Sequence, residues 1–361
     1  MMMSEKAKQH VESCRFCWMC HHICPIGNAT GHERSTPRAR ALGISLVNRG
    51  AIELDEIMDN IYECAGCGAC VHDCITGWDP VMFTKEVRLQ AAMDDKLPAY
   101  INKMVDNCLD TGNAYGKTAM CSKLTDAIVA HAEKTDTLLF LGADARYMAC
   151  EQAYKAIKVL EKAGVSFTVL ADEPASGAQL EFLIGAAEET KAQMSAAAKV
   201  MDGYKTVVIY DPADAKVIKQ TYGEYGVETS AKAVTYTSFL ASLVKSGALK
   251  AEKSDKVVVF QDPFQLSRDL EETEEAREVV SAFAELHEML LNRGETVWAG
   301  NILMAEYMPD VMRAVAGRRI FNAESIGETA IVTASVSEYV SLKNADKSGV
   351  EILSIEDLIL G

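Results

Sequence analysis

The chain has 361 residues, enough for two or three domains that each bury a core of their own. Its 49% apolar and 24% charged residues make an ordinary globular balance. The formal charge of -16 argues against nucleic acid or an anionic membrane surface as the main partner, and favours a basic face on another protein. No apolar run approaches the roughly eighteen residues of a membrane helix, and "MMMSEKAKQH" lacks the apolar centre of a signal peptide. A cytoplasmic chain with no direct membrane span is expected. Its eleven cysteines then point to metal or redox chemistry rather than to disulfides.

In chain order, the first feature is "CRFCWMCHHIC" at Cys14 to Cys24, followed by Pro25. A second run, "CAGCGACVHDC" at Cys64 to Cys74, has the same C-x2-C-x2-C-x3-C spacing and is followed by Ile75. Three closely spaced thiolates wrap one corner of a cubane, and in two-cluster ferredoxins the fourth cysteine ligates the other cluster. That pattern assigns Cys14, Cys17, Cys20 and Cys74 to one [4Fe-4S] cluster and Cys64, Cys67, Cys70 and Cys24 to a second. Structural zinc is the competing assignment, but zinc sites usually place their ligands as separated pairs. His21, His22 and His72 lie beside ligands; eight cysteines already satisfy two clusters, so these histidines read as solvated or supporting. Phe16, Trp18 and Ile23 are expected to shield the clusters from water, with core packing as the equal alternative.

Between the runs, Thr36 as N-cap, Pro37 at the first helical position and Gly50 as a stop predict a helix. Leu54, Ile57, Met58 and Ile61 share one helical face leading into Cys64, and Asp79-Pro80 opens a further helix through "VMFTKEVRLQAAM". From about residue 136 the pattern becomes α/β. Four predicted strands, "TLLFLG", "SFTVLA", "TVVIYD" and "AVTYTS", are followed by four more, "KVVVFQ", "TVWAG", "TAIVTA" and "EILSI". The stretch "VVSAFAELHEMLLNRG" reads as a helix with Val280, Phe283, Leu286 and Leu290 on its apolar face and Gly294 at its end. Two tandem α/β units with mostly parallel sheets follow from this order.

The helical insert between the cysteine runs, with "STPRARA" before its helix and "ECAGCGACVHDC" after it, resembles the α-helical ferredoxin domain of fumarate reductase-type and heterodisulfide reductase-type iron–sulfur subunits. The α/β part, with "FLGADARY", "DEPASG", "YDPADA", "QDPFQLSR", "WAGN" and "TASVSEY", resembles the duplicated cysteine-rich CCG domain. That domain follows the ferredoxin unit in iron–sulfur subunits of glycolate oxidase, anaerobic glycerol-3-phosphate dehydrogenase, lactate-utilisation proteins and heterodisulfide reductase. The resemblance implies an α+β multidomain fold: a helical two-cluster ferredoxin domain over 1–112 and two CCG-like halves over 113–252 and 253–361. It also implies cysteines at strand ends that hold a further redox cluster. Those positions carry Ala143, Ala175-Ser176 before Gly177, Asp211 and Asp214 around Pro212, Phe264, Trp298-Ala299 before Gly300, Ala334 and Ser337, with Gln265 where histidine is common. None of these is a thiol, so a cluster there is not expected. Asp211 and Asp214 could in principle ligate a hard metal, but turn or capping roles are commoner.

Cys108, Cys121 and Cys150 have no motif spacing and are expected in the core. No catalytic residues can be named. The resemblance implies an electron-transfer subunit of an oxidoreductase complex, relaying single electrons through two [4Fe-4S] clusters between a flavoprotein (FAD) dehydrogenase of the 2-hydroxy acid or polyol-phosphate type and another carrier. The loops around Arg146, Asp214 and Arg268 are the expected contact. The alternatives are a heterodisulfide reductase-like catalytic subunit with a further cofactor in the α/β region, and a redox-sensing scaffold.

Overall fold

The computed structural model describes residues 3–345 and 349–361, so Met1 and Met2 of the N-terminal stretch lie outside it. Its N-terminal third is helical. Helices Glu5–Glu12, Pro37–Asn48, Pro80–Met93 and Ala99–Thr111 pack around Ile44, Ile61, Tyr62, Phe83, Val87 and Ile101, all fully buried. Asp79 caps the third of these helices, its carboxylate accepting the Met82 N–H at 2.9 Å. Thr36 takes the N-cap position before Pro37 but makes no side-chain capping bond. Leu54, Ile57, Met58 and Ile61 are all buried, on a 3-10 turn (Leu54–Ile57) that runs into a short helix (Met58–Tyr62).

The remainder holds two parallel sheets. In the first, β1 (Thr137–Phe140), β2 (Thr206–Ile209) and β3 (Lys232–Thr235) lie in that order. Extended backbone at Thr168 bridges the free side of β1. In the second, β4 (Val257–Gln261), β5 (Glu285–His287), β6 (Ala330–Thr333) and β7 (Glu351–Ser354) are arranged β5-β4-β6-β7. With Thr168 counted as a rudimentary strand, both sheets have the spatial order 2-1-3-4, which is the signature of a duplication.

The repeat therefore stands, with two changes of assignment. "TVWAG" is a loop, and the second strand of the second half is Glu285–His287. The helix expected across that segment stops at Phe283, leaving Leu286 in the strand and Leu290 exposed. The apolar spacing fits a helix locally, but pairing with β4 satisfies a strand edge that would otherwise be bare, and that tertiary gain decides. The loop "TVWAG" matches "EPASG" instead: each ends on a left-handed glycine, Gly177 at φ 86° and Gly300 at φ 99°.

The final helix of each half packs against the first long helix of the other, Ile355–Leu360 on Cys150–Lys162 and Tyr236–Ser246 on Glu275–Phe283. This exchange builds one shared core from Leu124 to Ile359. The first half also sends helix Ala178–Ile184 into the N-terminal core, where the Tyr62 hydroxyl donates to the Leu183 carbonyl at 2.6 Å. The second half reaches the same place through the Tyr307 hydroxyl, which donates to the Tyr62 carbonyl at 2.9 Å.

Candidate metal centres

Both cysteine runs follow the same backbone path. Two left-handed residues stand at equivalent offsets, Phe16 and Trp18 (φ 56° and 67°) in the first run and Gly66 and Gly68 (φ 65° and 70°) in the second. This curl turns the Phe16 N–H onto Cys14 Sγ and the Gly66 N–H onto Cys64 Sγ, each at 3.4 Å. After the fourth cysteine the runs part. Cys24 opens helix Pro25–Thr30 and accepts the Gly27 N–H at 3.4 Å, whereas Cys74 enters a loop whose Thr76 hydroxyl lies 3.2 Å from its Sγ.

Cys14, Cys17, Cys20 and Cys74 line one cavity; Cys24, Cys64 and Cys67 line a second; Cys70 borders both. The fourth cysteine of each run thus lies with the first three of the other. Burial and the neighbouring Cys14, Cys17 and Cys74 push the Cys20 thiol up to about 11. Burial, then Cys67, Cys64 and Cys24, drive Cys70 well above the ordinary thiol range. Four sulfurs that repel one another's charge while backbone donors favour it are a donor set for a cationic iron centre. The residues fit such a group, which when bound would supply one-electron transfer.

The two sites differ in their surroundings. At the inner one, Cys24, Cys67 and Cys70 are buried. Arg40 donates to the Asn60 and Ser35 carbonyls, and Arg88 to those of Ile61, Cys64 and Phe182. Burial opposes the Cys64 thiolate, but Arg40 and Arg88, together with hydrogen bonds from Gly66 and Thr84, hold its thiol below the usual value. Arg268 donates to the Cys67 carbonyl at 2.8 Å and to Gly294 and Thr296, tying the site to the second half. At the outer site Cys17 is exposed. Phe16 and Trp18 do not shield it, being exposed themselves. His72 faces Asp73 and Glu295 at 3.5 and 3.6 Å.

Residues 10–78 match the 4Fe-4S dicluster domain family. The N-terminal part of the chain is a 4Fe-4S dicluster domain. Over 305 residues the chain is 25% identical to one of the subunits of dihydromethanophenazine:CoB–CoM heterodisulfide reductase from Methanosarcina acetivorans, covering 75% of this chain and 72% of that one. The corresponding protein of Methanosarcina mazei is 26% identical over 296 residues, with the same coverage. That of Methanosarcina barkeri is 23% identical over 292 residues, covering 72% and 69%. The chain is an iron–sulfur redox protein, and among the described residues no helix is long and apolar enough to cross a membrane.

Beyond the dicluster domain, several strand-end positions singled out by sequence converge, while Ala175, Ser176, Ala299 and Ala334 do not line the same cavity. Ala143, Asp211, Asp214, Phe264, Trp298 and Ser337 line a cavity of about 120 Å³ between the two α/β halves, and Cys64 of the inner site forms part of its wall. Cys64 is the only thiol among its lining residues, so a further cysteine-held cluster does not fit here. Burial and Asp144 push the Asp211 carboxyl up to about 7, and burial pushes Glu338 up to about 8. Asp211 caps the turn after β2, accepting the Ala213 N–H at 2.7 Å, the capping role expected for it.

The expected contact loops fare differently. Arg146 is buried and donates to the Leu170 and Ala171 carbonyls; Asp214 is buried and accepts from the Ser176 hydroxyl; Arg268 is spent on Cys67, Gly294 and Thr296. These side chains are engaged in bracing the interior. Cys108 is buried as expected, but Cys121 and Cys150 form a disulfide, with Cα atoms 6.0 Å apart across a separation of 29 residues. Spacing could not show this pairing, because it depends on two helix starts meeting. The arginines of the inner site were also missed. The signal available was a charge on the apolar face of a predicted helix: Arg88 sits beside Val87 and Ala91, Arg40 beside Ala41 and Ile44.

Proposed function

We propose that the chain is the electron-transfer subunit of an oxidoreductase complex, relaying single electrons through two [4Fe-4S] clusters. Cys14, Cys17, Cys20 and Cys74 hold one, and Cys64, Cys67, Cys70 and Cys24 hold the other. The observation that carries this is the pair of four-thiol sites meeting at Cys70, one open to the surface and one buried. The chain's own part is to fix the sulfurs, direct backbone N–H groups at them, and keep water from the inner site. The dicluster domain spans 1–112, and the CCG-like halves at 113–252 and 253–361 form its support. A flavoprotein dehydrogenase of the 2-hydroxy acid or polyol-phosphate type stands at one end and a second carrier at the other.

A second reading is a catalytic subunit like that of heterodisulfide reductase. It is favoured by the similarity along three quarters of the chain and by a cavity that abuts Cys64. Anaerobic purification together with native neighbours, with iron, sulfide and flavin quantified, separates the two. The relay predicts about eight irons per chain and a co-purifying flavin. Clearly more iron supports the second reading, and a monomer without electron exchange sinks the first.

A further inference from the structure

The second cysteine run places glycine at both of its left-handed positions, where an L side chain strains the backbone. The first run places Phe16 and Trp18 at the same two positions. Neither aromatic repays this by packing inside: Phe16 is 61% exposed and Trp18 42%. Met19 (50%) and Ile75 (92%) stand beside them at the mouth of the outer site, next to the exposed Cys17. The Arg38 guanidinium lies over both rings, 4.7 Å from that of Phe16 and 4.2 Å from that of Trp18, and is held by Glu33 at 3.2 Å. An apolar patch has thus been built and ordered at a conformational cost, around the one cysteine site that reaches the surface.

Charge narrows what covers it. The chain carries -16 overall, yet residues 13–40 hold four arginines (Arg15, Arg34, Arg38 and Arg40) against a single acid, Glu33. Arg40 is buried, and Arg34 reaches across to Glu63 at 3.0 Å. Arg15, at the rim of the outer site, makes no ion pair among the described residues. On an otherwise acidic molecule, the rim of this patch thus carries one unpaired cation, Arg15, beside the Glu33-paired Arg38, which suits an acidic face on a partner.

We propose that Phe16, Trp18, Met19 and Ile75, ringed by Arg15 and Arg38, form the docking surface for an acidic one-electron carrier protein. The inference rests on the relay proposed above and adds where, and with what chemistry, a partner meets it. A few apolar side chains with a charged rim suit a transient, electrostatically steered encounter rather than a permanent subunit contact. In the exchange one electron leaves the carrier's centre, which is oxidised, and the outer site's cluster is reduced by one. No bond is made or broken and no proton moves.

The test uses the whole chain, purified anaerobically with its iron, and an acidic [2Fe-2S] ferredoxin as probe. Binding is measured by calorimetric titration, and electron exchange is followed in both directions. The variant is Phe16→Gly with Trp18→Gly, which gives the first run the glycines that the second already uses. Iron content and reduction by dithionite are expected to stay as in the wild type, while Kd for ferredoxin rises at least roughly tenfold. Arg38→Gln, which leaves the loop backbone alone, is expected to weaken binding and flatten its salt dependence. Wild-type affinity in the double variant, or wild-type binding indifferent to salt, overturns the docking surface while leaving the relay standing. A wild-type chain that dithionite reduces but ferredoxin neither binds nor exchanges with overturns the acidic carrier as occupant. A chain that dithionite cannot reduce overturns the relay, and this inference with it.

Discussion

Cys17 stands in solvent at the outer site, among exposed aromatics and a stacked arginine, whereas Cys67 and Cys70 of the inner site are sealed beneath Arg40, Arg88 and Arg268. The backbone paths are the same, down to the two left-handed residues. Cysteine spacing therefore sets the cradle, and what differs is what each cradle is exposed to. One site opens to the surface and the other is buried beside the interior cavity.

The crossing of the fourth cysteines is where this contrast can be broken most severely. Cys74→Ala removes a sulfur from the outer group although it lies in the second run, and Cys24→Ala does the reverse. Each variant is expected to lose about four irons. The surviving signal in electron paramagnetic resonance should be that of the buried site for Cys74→Ala and of the exposed site for Cys24→Ala. Swapped survivors would mean that each run serves its own cluster.

Next in size is the charge around the inner site. A cation favours the more negative, reduced state, so removing one lowers the reduction potential. A unit charge about 7 Å away, at an effective dielectric of about 20, is worth roughly 2 kcal/mol, on the order of 100 mV for one electron. Arg268→Gln should shift the inner centre down by that order and leave the outer one nearly unmoved; Arg268→Lys, which keeps the charge, should shift it far less. A redox titration with spectroscopic detection reads both. Equal shifts at the two centres would remove the distinction between them.

What was legible in the sequence was local. Cysteine spacing, the Asp79-Pro80 start and the buried face of Leu54 to Ile61 all depend on neighbours within a few residues. The order of the α/β strands was also legible, because repetition shows even when single strands are weak. What escaped was decided at a distance. Glu285–His287 is a strand because β4 offers an edge, Arg268 braces Cys67 from 201 residues away, and Cys121 meets Cys150 only once two helices are placed. The exposure of Phe16 and Trp18 escaped for another reason: aromatics beside cysteines suggest shielding, and only the fold shows which way the loop faces.

The interior cavity should also give stability a pH dependence. Burial and Asp144 hold the Asp211 carboxyl up to about 7, so the folded chain keeps a proton that the unfolded chain releases near its ordinary value of about 4. Stability from this source is present below about pH 4 and is lost as pH rises through about 7. Asp211→Asn keeps a side-chain oxygen for the Ala213 N–H and removes the charge. Its melting temperature should exceed that of the wild type by a few degrees at pH 8, with little difference at pH 4. A gap that is the same at both ends would assign the effect to packing.

The smallest effect tests the shared backbone itself. A Cβ at Gly66 would meet nothing within 4 Å, and one at Gly68 only Arg268 Cδ at 3.9 Å, an ordinary contact. Gly66→Ala and Gly68→Ala should therefore cost only the left-handed conformation, about 1–2 kcal/mol each. In the outer run the exchange runs the other way. Phe16→Gly and Trp18→Gly relieve that strain, but the larger unfolded ensemble takes back about 0.4–1 kcal/mol and the lost Arg38 stacking about 0.5–1 kcal/mol more. Each should leave stability within about 1 kcal/mol of the wild type in denaturant unfolding of the iron-loaded chain. A loss of more than about 1 kcal/mol would show that the rings pack, and that their exposure does not mark a surface kept for a partner.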